Sequence, residues 1–406
     1  MDRGPRKYSV VTFGCRVNQA DSLAIEAELQ AGGAISVSSG HADVVIVNTC
    51  SVTASADQGA RQTIRRVARE NPGARIIATG CYATRCPEEV ANLPGVTSVV
   101  PNREKESITF VARLADRAQT SLTETDGPCG RPLAPGLMGR TAWTLRVQTG
   151  CEESCSYCII PTTRGASRSR TLPDIRAEVT RVIEAGYREI AVTGVHLGSY
   201  GRDLRPASSL IELLRVLAQA PALIRVSSLE PMDFPLAALE LRCAPHFHLP
   251  LQHASNRVLQ AMNRPYTIEF FRDLVDRVRY RLPHAAIGSD VIAGFPGETA
   301  EDFDELANYL AQSPLTHLHV FPYSERPGTA ASRLPGQVHG SVIKMRAHRL
   351  REISRVLAER FRESQRGTRR PALTIEDGSM AVTDNYFRVP APAGHARNEW
   401  VEVVIP

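Results

Sequence analysis

The sequence predicts an α/β protein in three parts: an N-terminal sheet domain over residues 1–135, a central partial barrel over 136–365 and a small C-terminal β module over 366–406. Two observations predict this division. Strand-like apolar runs alternate with helix-like amphipathic runs along most of the chain, which indicates parallel sheets covered by helices. The alternation is interrupted at 117–140 by a segment rich in Gly, Pro and Thr, which we interpret as a linker.

The N-terminal part contains three predicted strands, YSVVTF (8–13), ADVVIV (42–47) and ARIIAT (74–79). Helices are predicted over 18–31 and around ASADQGARQTIRRVARE, which ends at the breaker sequence NPG. Strands that alternate with helices form a parallel sheet with helices on its faces, so we expect a doubly wound, flavodoxin-like domain.

The central part contains six predicted strands: TLRVQT, REIAVT, LIRVSS, HFHLPL, AIGSDVIAG and THLHVFPYS. Runs with helical period lie between most of them, which predicts a partial (β/α)6 barrel. A long charged helix is predicted at about 340–365. The tail then contains three short strand-like runs, ALTIED, MAVTDNYFRVP and WVEVVIP, which predict a small all-β module.

Composition excludes several classes of protein. The chain has 406 residues, of which 43% are hydrophobic and 22% are charged, and a formal net charge of +5. No apolar run is long enough to cross a membrane and no secretory leader is recognisable at the start, so we expect a cytoplasmic protein. Its 9 cysteines occur in tight motifs, which favours metal or redox chemistry over disulfides.

The segment TGCEESCSYC holds Cys151, Cys155 and Cys158 with the spacing C-x3-C-x2-C, in the predicted loop after the first barrel strand. Barrels of this type place their active sites at that end of the strands. Thiolates suit iron–sulfur clusters, and three of them leave one iron of a four-iron cluster without a protein ligand. The alternative is a zinc site that takes His196 or His248 as its fourth ligand.

A second cysteine set is predicted from topology. Cys15, Cys50 and Cys81 each lie just past the end of a predicted strand, and such ends meet at one edge of a parallel sheet. The alternative for each is an inert buried thiol. Cys86 competes with Cys81 as a ligand, although it lies at a predicted helix start before Pro87. We interpret Cys129 and Cys243 as non-ligands.

These motifs resemble a known family. The spacing of Cys151, Cys155 and Cys158, with Tyr157 before the last cysteine, is similar to the signature of the radical SAM enzymes. The added segments GCRVNQADS, NTCSVT and TGCYAT resemble the methylthiotransferases of that group, from residue 8 to about 330. The resemblance implies two [4Fe-4S] clusters and S-adenosylmethionine (SAM). One cluster would cleave SAM to a 5′-deoxyadenosyl radical, and the cluster at Cys15, Cys50 and Cys81 would supply sulfur.

The resemblance also implies cofactor contacts. The segment TGVHLG, which includes Gly194 and Val195, matches the part of radical SAM enzymes that contacts the SAM amino group; the alternative is an ordinary turn. Glu230, in SSLEP, is a candidate acceptor for ribose hydroxyls, and the alternative is a surface carboxylate. Tyr157 is the remaining candidate cofactor contact.

RNA contacts are predicted in two places. Arg164, Arg168 and Arg170 form a basic segment after the cysteine loop that is able to hold phosphates, the alternative being a solvated surface. The tail resembles the TRAM module, a small RNA-binding β-barrel. There Tyr386 and Phe387 are candidates to stack on bases and Arg388 to bind phosphate, although the tail is short for a full barrel.

The function expected from the resemblance is methylthiolation of tRNA. GCRVNQADS, GVHLGSYG and SSLEP most resemble the subgroup that acts at C2 of N6-threonylcarbamoyladenosine at position 37, with unidentified electron and sulfur donors. Two alternatives remain: the related methylthiotransferases that modify an aspartate of a ribosomal protein, and a non-catalytic iron–sulfur or zinc protein.

Overall fold

The computed structural model of the chain describes residues 6–108, 135 and 141–406. Most of the predicted linker, together with Cys129, lies outside these residues. The chain divides into two compact units. The first contains residues 6–108 and two later segments, Thr149–Glu152 and Cys158–Ala166, and the second contains the other described residues. The boundaries of three separate domains stay a prediction.

The first unit is built on a parallel sheet of five strands. The strands are β1 (Lys7–Thr12), β2 (Ile35–Ser36), β3 (Val44–Thr49), β4 (Arg75–Gly80) and β5 (Val96–Val100). The helices are α1 (Arg16–Ala31), α2 (Ala54–Glu70), α3 (Cys81–Arg85), α4 (Pro87–Ala91) and, from the later segment, α5 (Ile160–Arg164). The strand order β2-β1-β3-β4-β5 is that of the flavodoxin-like folds, as expected. In this order the direction of winding switches between β1 and β3, where such sheets open a crevice beyond the strand ends.

Two apolar clusters hold the sheet of the first unit. Successive side chains of β3 point to opposite faces of the sheet. Val45 and Val47 pack in the cluster that includes residues of α2. Val44 and Ile46 pack in the cluster that includes residues of α1. A strand buried on both faces is typical of a parallel sheet with helices on each side. Polar residues are therefore accommodated at the strand ends, where Asn48 and Thr49 are fully buried and hydrogen-bonded.

The second unit contains six parallel strands of a partial barrel. They are β6 (Trp143–Arg146), β9 (Glu189–Thr193), β10 (Leu223–Val226), β11 (His246–His248), β12 (Ala286–Ala293) and β13 (His317–Pro322), and the short strands β7 (Gln148–Thr149) and β8 (Arg168–Ser169) precede β9. Its helices are α6 (Leu172–Glu184), α7 (Leu210–Leu217), α8 (Asn256–Ala261), α9 (Ile268–Arg281), α10 (Ala300–Gln312) and α11 (Gly340–Gln365).

Two hydrogen bonds continue the barrel between its halves, from the Ala244 amide to the Ile224 carbonyl at 2.8 Å and from the Leu229 amide to the His248 carbonyl at 2.9 Å. All six predicted barrel strands are confirmed, with one difference. The run TLRVQT is not a single strand, because it breaks at Val147, whose carbonyl accepts the Arg170 amide at 2.9 Å.

The C-terminal residues form an antiparallel sheet, as expected. Its order is β16-β15-β14-β17. The strands are β14 (Arg369–Ile375), β15 (Met380–Thr383), β16 (Arg388–Pro390) and β17 (Trp400–Val404). The run MAVTDNYFRVP was predicted as one strand but forms two, because the chain turns at Tyr386, which has a φ of 76°.

The turn between β15 and β16 contacts the barrel strands. The buried Arg225 guanidinium binds the Glu189 carboxylate at 2.6 Å and the Asp384 carbonyl at 3.0 Å, and it lies 4.7 Å from the centre of the Tyr386 ring. The Tyr386 ring also lies 4.5 Å from the His246 ring. The C-terminal sheet is therefore joined to β10 and β11 through a buried cation.

Among the described residues, no helix is both long enough and apolar enough to span a bilayer.

A buried carboxyl on α1 makes the stability of the first unit depend on pH. Burial raises the pKa of Glu26 from 4.5 to about 7. The folded chain therefore binds more protons than the unfolded chain in that interval, and the free energy of unfolding falls as the pH rises through it. We expect ionisation of Glu26 to lower the free energy of unfolding by about 3 kcal/mol at pH 8, relative to acidic pH.

Glu26→Gln should remove that dependence. The variant should be more stable than the parent chain at pH 8, by up to about 3 kcal/mol, and nearly equal to it at pH 4. Urea denaturation at the two pH values measures the difference. Glu70→Gln is the control, because Glu70 is half exposed beside Arg66 and should change stability by less than about 1 kcal/mol. An equal effect of Glu26→Gln at both pH values would contradict the buried carboxyl.

Candidate functional site

Three cysteines lie at the carboxyl ends of neighbouring strands in the first unit. Cys15 follows β1 and precedes α1, Cys50 directly follows β3, and Cys81 directly follows β4 as the first residue of α3. The predicted positions past the strand ends are confirmed. Because β1, β3 and β4 are adjacent in the sheet, the fold brings together residues that are far apart in the sequence.

The three thiols are close enough to interact electrostatically. Burial raises the pKa of Cys50 to about 11, and the neighbouring Cys81 and Cys15 add to this rise. Gly14, at a φ of 86°, lies directly against Cys50, because a Cβ on Gly14 would come within 2.6 Å of the Cys50 Sγ. The glycine before Cys15 thus allows the β1 loop to approach the end of β3.

A buried charge network lies beside these thiols. The Asp21 carboxylate binds the Arg164 guanidinium at 3.1 Å and the Lys105 ammonium at 2.7 Å. Arg164 also donates to the Asn18 side chain, and Lys105 donates to Asn48 at 3.1 Å. One buried carboxylate therefore faces two buried cations, which leaves the surroundings of the thiols net positive.

This network places a guanidinium beside Cys81 and Cys15. Burial lowers the pKa of Arg164, but Asp21, Cys81 and Cys15 outweigh that effect and hold the pKa above its ordinary value. The Asn102 amide lies 3.6 Å from the Cys81 Sγ and donates to the Thr163 carbonyl at 2.8 Å. A cation and an amide donor therefore lie next to the Cys81 Sγ, where they are able to offset the charge of a metal-bound thiolate.

The placement of Arg164 argues against its predicted contact with RNA. Its side chain is only 3% exposed and its guanidinium is committed to Asp21, so no phosphate reaches it. The sequence suggested a solvated basic segment because Arg164 is followed by further arginines. The structure instead buries it on α5, a few residues after the cysteine loop.

In the second unit, residues after α8 hold the part of the cysteine loop around Cys155. The Ser156 amide and hydroxyl donate to the carbonyls of Met262 and Ala261, at 3.0 and 2.8 Å. The buried Arg264 donates to the Cys155 Sγ at 3.1 Å. This again is a cation beside a thiol, which stabilises the thiolate.

Candidate SAM contacts lie near this arginine. Glu230 forms an ion pair with Arg264, so its carboxylate is partly buried and oriented rather than free on the surface. Tyr157 packs in an apolar cluster with Met262 and Phe295. The structure does not test whether either residue contacts the cofactor, and both assignments stay predictions.

The turn after β9 is organised by a glutamine. The Gln148 side-chain oxygen accepts the amides of Val195 and His196, each at 2.9 Å. A Cβ on Gly194 would lie 2.8 Å from Leu197 and 3.0 Å from the Gln148 oxygen, so the close approach requires glycine. The backbone of Gly194 and Val195 is thus held in one conformation, and their role as SAM contacts stays a prediction.

The histidines considered as zinc ligands have other partners. The His196 Nε2 is 2.7 Å from Asp233, which also binds Arg202 at 2.7 Å. Burial raises the pKa of Asp233, but His196 and Arg202 outweigh it and hold the pKa below its ordinary value. The His248 Nε2 is 2.8 Å from Asp290.

The interpretation of the other cysteines as non-ligands stays a prediction, and the structure describes the surroundings of two of them. Cys86 is partly buried at the start of α4, before Pro87, and packs against the apolar cluster under α2. Burial raises the pKa of Cys243 to about 11.

The candidate RNA contacts differ in accessibility. Arg168 is exposed, whereas Arg170 is bound to Glu178 at 2.5 Å. Tyr386 is 47% exposed and Arg388 is exposed beside Glu376. The prediction that Phe387 stacks on bases is wrong, because Phe387 is 8% exposed and its ring stacks on Phe361 at 5.0 Å.

Sequence reasoning missed five residues that hold the thiols or the turns of the candidate site. They are Asp21, Lys105, Gln148, Asp233 and Arg264. One signal was present: Asn18 and Asp21 are three residues apart on α1, so two polar side chains share a buried helical face. A polar pair on such a face needs partners, which the structure supplies from distant segments.

Comparison with known families agrees with this geometry. Residues 7–101 match the model of uncharacterized protein family UPF0004, and residues 145–310 match that of the Radical SAM superfamily. The second match defines the class of enzyme. The curated relatives below, which align over nearly the whole chain, define the family, and the chain belongs to the radical SAM methylthiotransferases.

Three curated relatives show the extent of the match. The threonylcarbamoyladenosine tRNA methylthiotransferase MtaB of Bacillus subtilis (strain 168) is 36% identical, over 93% of this chain and 88% of its own length. The MtaB of Aquifex aeolicus is 35% identical, over 94% and 96%. The tRNA-2-methylthio-N(6)-dimethylallyladenosine synthase of Streptomyces viridosporus is 31% identical, over 95% and 80%.

Solved structures support the fold alone. The radical S-adenosylmethionine methyltransferase TsrM from Kitasatospora setae, with cobalamin and a [4Fe-4S] cluster bound, matches with a TM-score of 0.58 at 16% identity, over 81% of this chain and 77% of that one. The cobalamin-dependent radical enzyme OxsB matches with a TM-score of 0.51 at 11% identity, over 88% and 56%.

The buried network predicts a large cost for removing its carboxylate. Asp21→Asn leaves Arg164 and Lys105 buried without an anionic partner, so we expect the first unit to lose about 3–5 kcal/mol of unfolding free energy in urea denaturation. Asp43→Asn is the matched control, because Asp43 is exposed and accepts one backbone bond from Lys7; it should cost less than about 1.5 kcal/mol. Equal effects of the two substitutions would contradict a stabilising role for Asp21.

Proposed function

We propose that this enzyme is a tRNA methylthiotransferase that adds a methylthio group at C2 of N6-threonylcarbamoyladenosine at tRNA position 37. The observation that carries the proposal is the pair of MtaB relatives, 36% and 35% identical over nearly the whole chain. The relative named for dimethylallyladenosine is less similar, at 31%. The fold and the cysteine positions do not distinguish the two nucleosides, and the higher identity to the MtaB relatives favours the first.

We propose that Cys151, Cys155 and Cys158 hold one [4Fe-4S] cluster, to which SAM binds, and that Cys15, Cys50 and Cys81 hold a second. When bound, the first cluster and SAM supply a 5′-deoxyadenosyl radical, and the second cluster supplies sulfur. The chain provides three thiols and no fourth cysteine in each motif, which leaves a position open in each cluster. An electron donor and a sulfur donor from outside the chain are required.

The residues of the second unit position the cofactors. Arg264 donates to Cys155 and so stabilises its thiolate, and it orients the Glu230 carboxylate, which accepts ribose hydroxyls in this proposal. The Gln148 side-chain oxygen accepts hydrogen bonds from the amides of Val195 and His196. The carbonyls of that turn are therefore the groups that would accept from the SAM amino group. Tyr157 lines the same cofactor site.

The residues of the first unit support the second cluster. Arg164 and Lys105 place buried positive charge beside three thiolates, which offsets the negative charge of a thiolate-bound cluster. Lys105 remains in this role although burial lowers its pKa, because Asp21 partly restores it. For the tRNA, the accessible candidates are Arg168, Tyr386 and Arg388, whereas Arg170 is half-buried and would have to leave Glu178 to bind phosphate.

The substrate is tested by mass spectrometry of nucleosides from a strain that lacks the gene. We expect the 2-methylthio-N6-threonylcarbamoyladenosine peak to disappear and the unmodified N6-threonylcarbamoyladenosine peak to rise. The intact gene should restore the peak and the Cys151→Ala variant should not. An unchanged peak would refute the proposal, and loss of methylthiolation on a ribosomal-protein aspartate instead would establish the protein-modifying alternative.

The two clusters should be separable by substitution. The reconstituted chain should contain about eight irons, and Cys50→Ala about four. Cys50→Ala should lose methylthiolation but still release 5′-deoxyadenosine from SAM under reductant, whereas Cys151→Ala should lose both. Cys86→Ala is the matched control and should keep both the iron and the two activities. Loss of deoxyadenosine release in Cys50→Ala would count against two independent clusters.

A further inference from the structure

A group of three histidines lies on adjacent strands of the partial barrel. His248 ends β11, and His317 and His319 alternate along β13, so the last two share one face of the sheet. The intervening Leu318 points to the other face of the sheet and is buried. One ring nitrogen from each histidine lies within 4.8 Å of the other two.

The strand between them leaves room for these rings. Gly288 on β12 is paired in register with both His248 and His317. A Cβ on Gly288 would lie 2.2 Å from the His317 Nε2 and 2.9 Å from the His248 Nδ1. Two imidazole nitrogens from different strands therefore converge over the one position of β12 that lacks a side chain.

The other nitrogen of each ring is held by an oxygen. The Asp290 carboxylate lies 2.8 Å from the His248 Nε2 and 3.2 Å from the His319 Nδ1. A carboxylate only accepts hydrogen bonds, so both of those nitrogens carry the proton. The lone pairs of the neutral rings are then on the His248 Nδ1 and the His319 Nε2.

The third ring is oriented by a hydroxyl. The Thr316 Oγ1 lies 3.0 Å from the His317 Nδ1 and donates its proton to the Ile287 carbonyl at 3.1 Å. When the hydroxyl donates to this carbonyl, it accepts from the His317 Nδ1–H, and the lone pair of the ring is then on Nε2, which is the tautomer that a metal bound at Nε2 requires. This is the nitrogen that lies over Gly288.

Each ring therefore has a tautomer in which one nitrogen offers a lone pair while the opposite N–H is bound to a carboxylate or hydroxyl. Histidines that ligate metals are held in this way by their outer partners. Among the residues that the structure describes, no other set of three His, Cys, Asp or Glu side chains brings its donor atoms as close together.

We propose that His248, His317 and His319 form a binding site for a divalent transition-metal ion with the chemistry of Zn²⁺. Imidazole nitrogen suits zinc, and three protein ligands leave a fourth position for water or another oxygen donor. The 59% exposure of the His319 side chain leaves that position accessible. The site is separate from the cysteine motifs, whose thiolates would hold iron, and it does not rest on the identity of the substrate.

The site is tested by adding one equivalent of Zn²⁺ to the cluster-reconstituted chain and removing unbound metal. We expect about one zinc ion per chain, and zinc-edge X-ray absorption should show nitrogen or oxygen neighbours at about 2.0–2.1 Å without sulfur at about 2.3 Å. Because this measurement selects zinc, the iron of the clusters does not interfere. Absence of bound zinc, or a sulfur shell, overturns the proposal.

Variants distinguish the three histidines from adventitious sites. His319→Ala should weaken zinc binding by more than 100-fold. Asp290 orients two ligands without touching the metal, so Asp290→Asn should weaken zinc binding roughly 10- to 100-fold. His348→Ala is the control, since His348 is exposed on α11 and should leave zinc affinity unchanged. Iron content reports correct folding in each variant. Unchanged zinc affinity in His319→Ala, with iron retained, also overturns the proposal.

Discussion

The Asp21 carboxylate is the interaction on which the site in the first unit depends. It lies on α1, is almost completely buried, and binds two cations, Arg164 and Lys105, from segments far away in the sequence. A buried cation is stable only when it is paired, so Asp21 decides where α5 and the turn that carries Lys105 are held. Those two cations in turn set the electrostatic environment of the three cysteines at the strand ends. Sheet topology brings the thiols together, and this network places a buried guanidinium beside Cys81 and Cys15.

The second unit uses the same arrangement at Cys155. Arg264 is buried, donates to the thiol, and is neutralised by Glu230. In both units a buried arginine therefore connects a cysteine to a carboxylate. Such an arginine keeps its charge at any physiological pH, so the stabilisation of the thiolate does not vary with conditions. The barrel adds a further polar cluster, in which Asp290 and Thr316 orient three histidines that belong to neither cysteine motif.

Much of the fold followed from pattern alone. The three strands and two long helices predicted in the first unit and the six barrel strands lie where apolar periodicity and breakers predict them, because burial against a core imposes that periodicity directly. The short strands β2 and β5 of the first unit were missed. The errors concern local geometry. TLRVQT breaks at Val147 and MAVTDNYFRVP turns at Tyr386, since a change of hydrogen-bonding partner and a left-handed residue leave no signal in hydrophobicity. Phe387 was misassigned because an aromatic residue in a basic, polar segment has the same pattern whether it packs inward on Phe361 or outward.

The sequence by itself determined the chemistry available to this protein: two sets of three cysteines, one in a tight loop and one at strand ends, with their resemblance to the radical SAM methylthiotransferases. Only the tertiary structure decided which side chains surround those thiols. Arg164 belongs to a run that suggests an exposed basic surface, yet it is buried against Asp21. In the sequence the three histidines are ordinary strand residues. The register of β11, β12 and β13 at Gly288 brings them together. The reason is physical: spacing along the chain records which groups are neighbours in sequence, whereas pairing of charges and lone pairs depends on distances that folding alone sets.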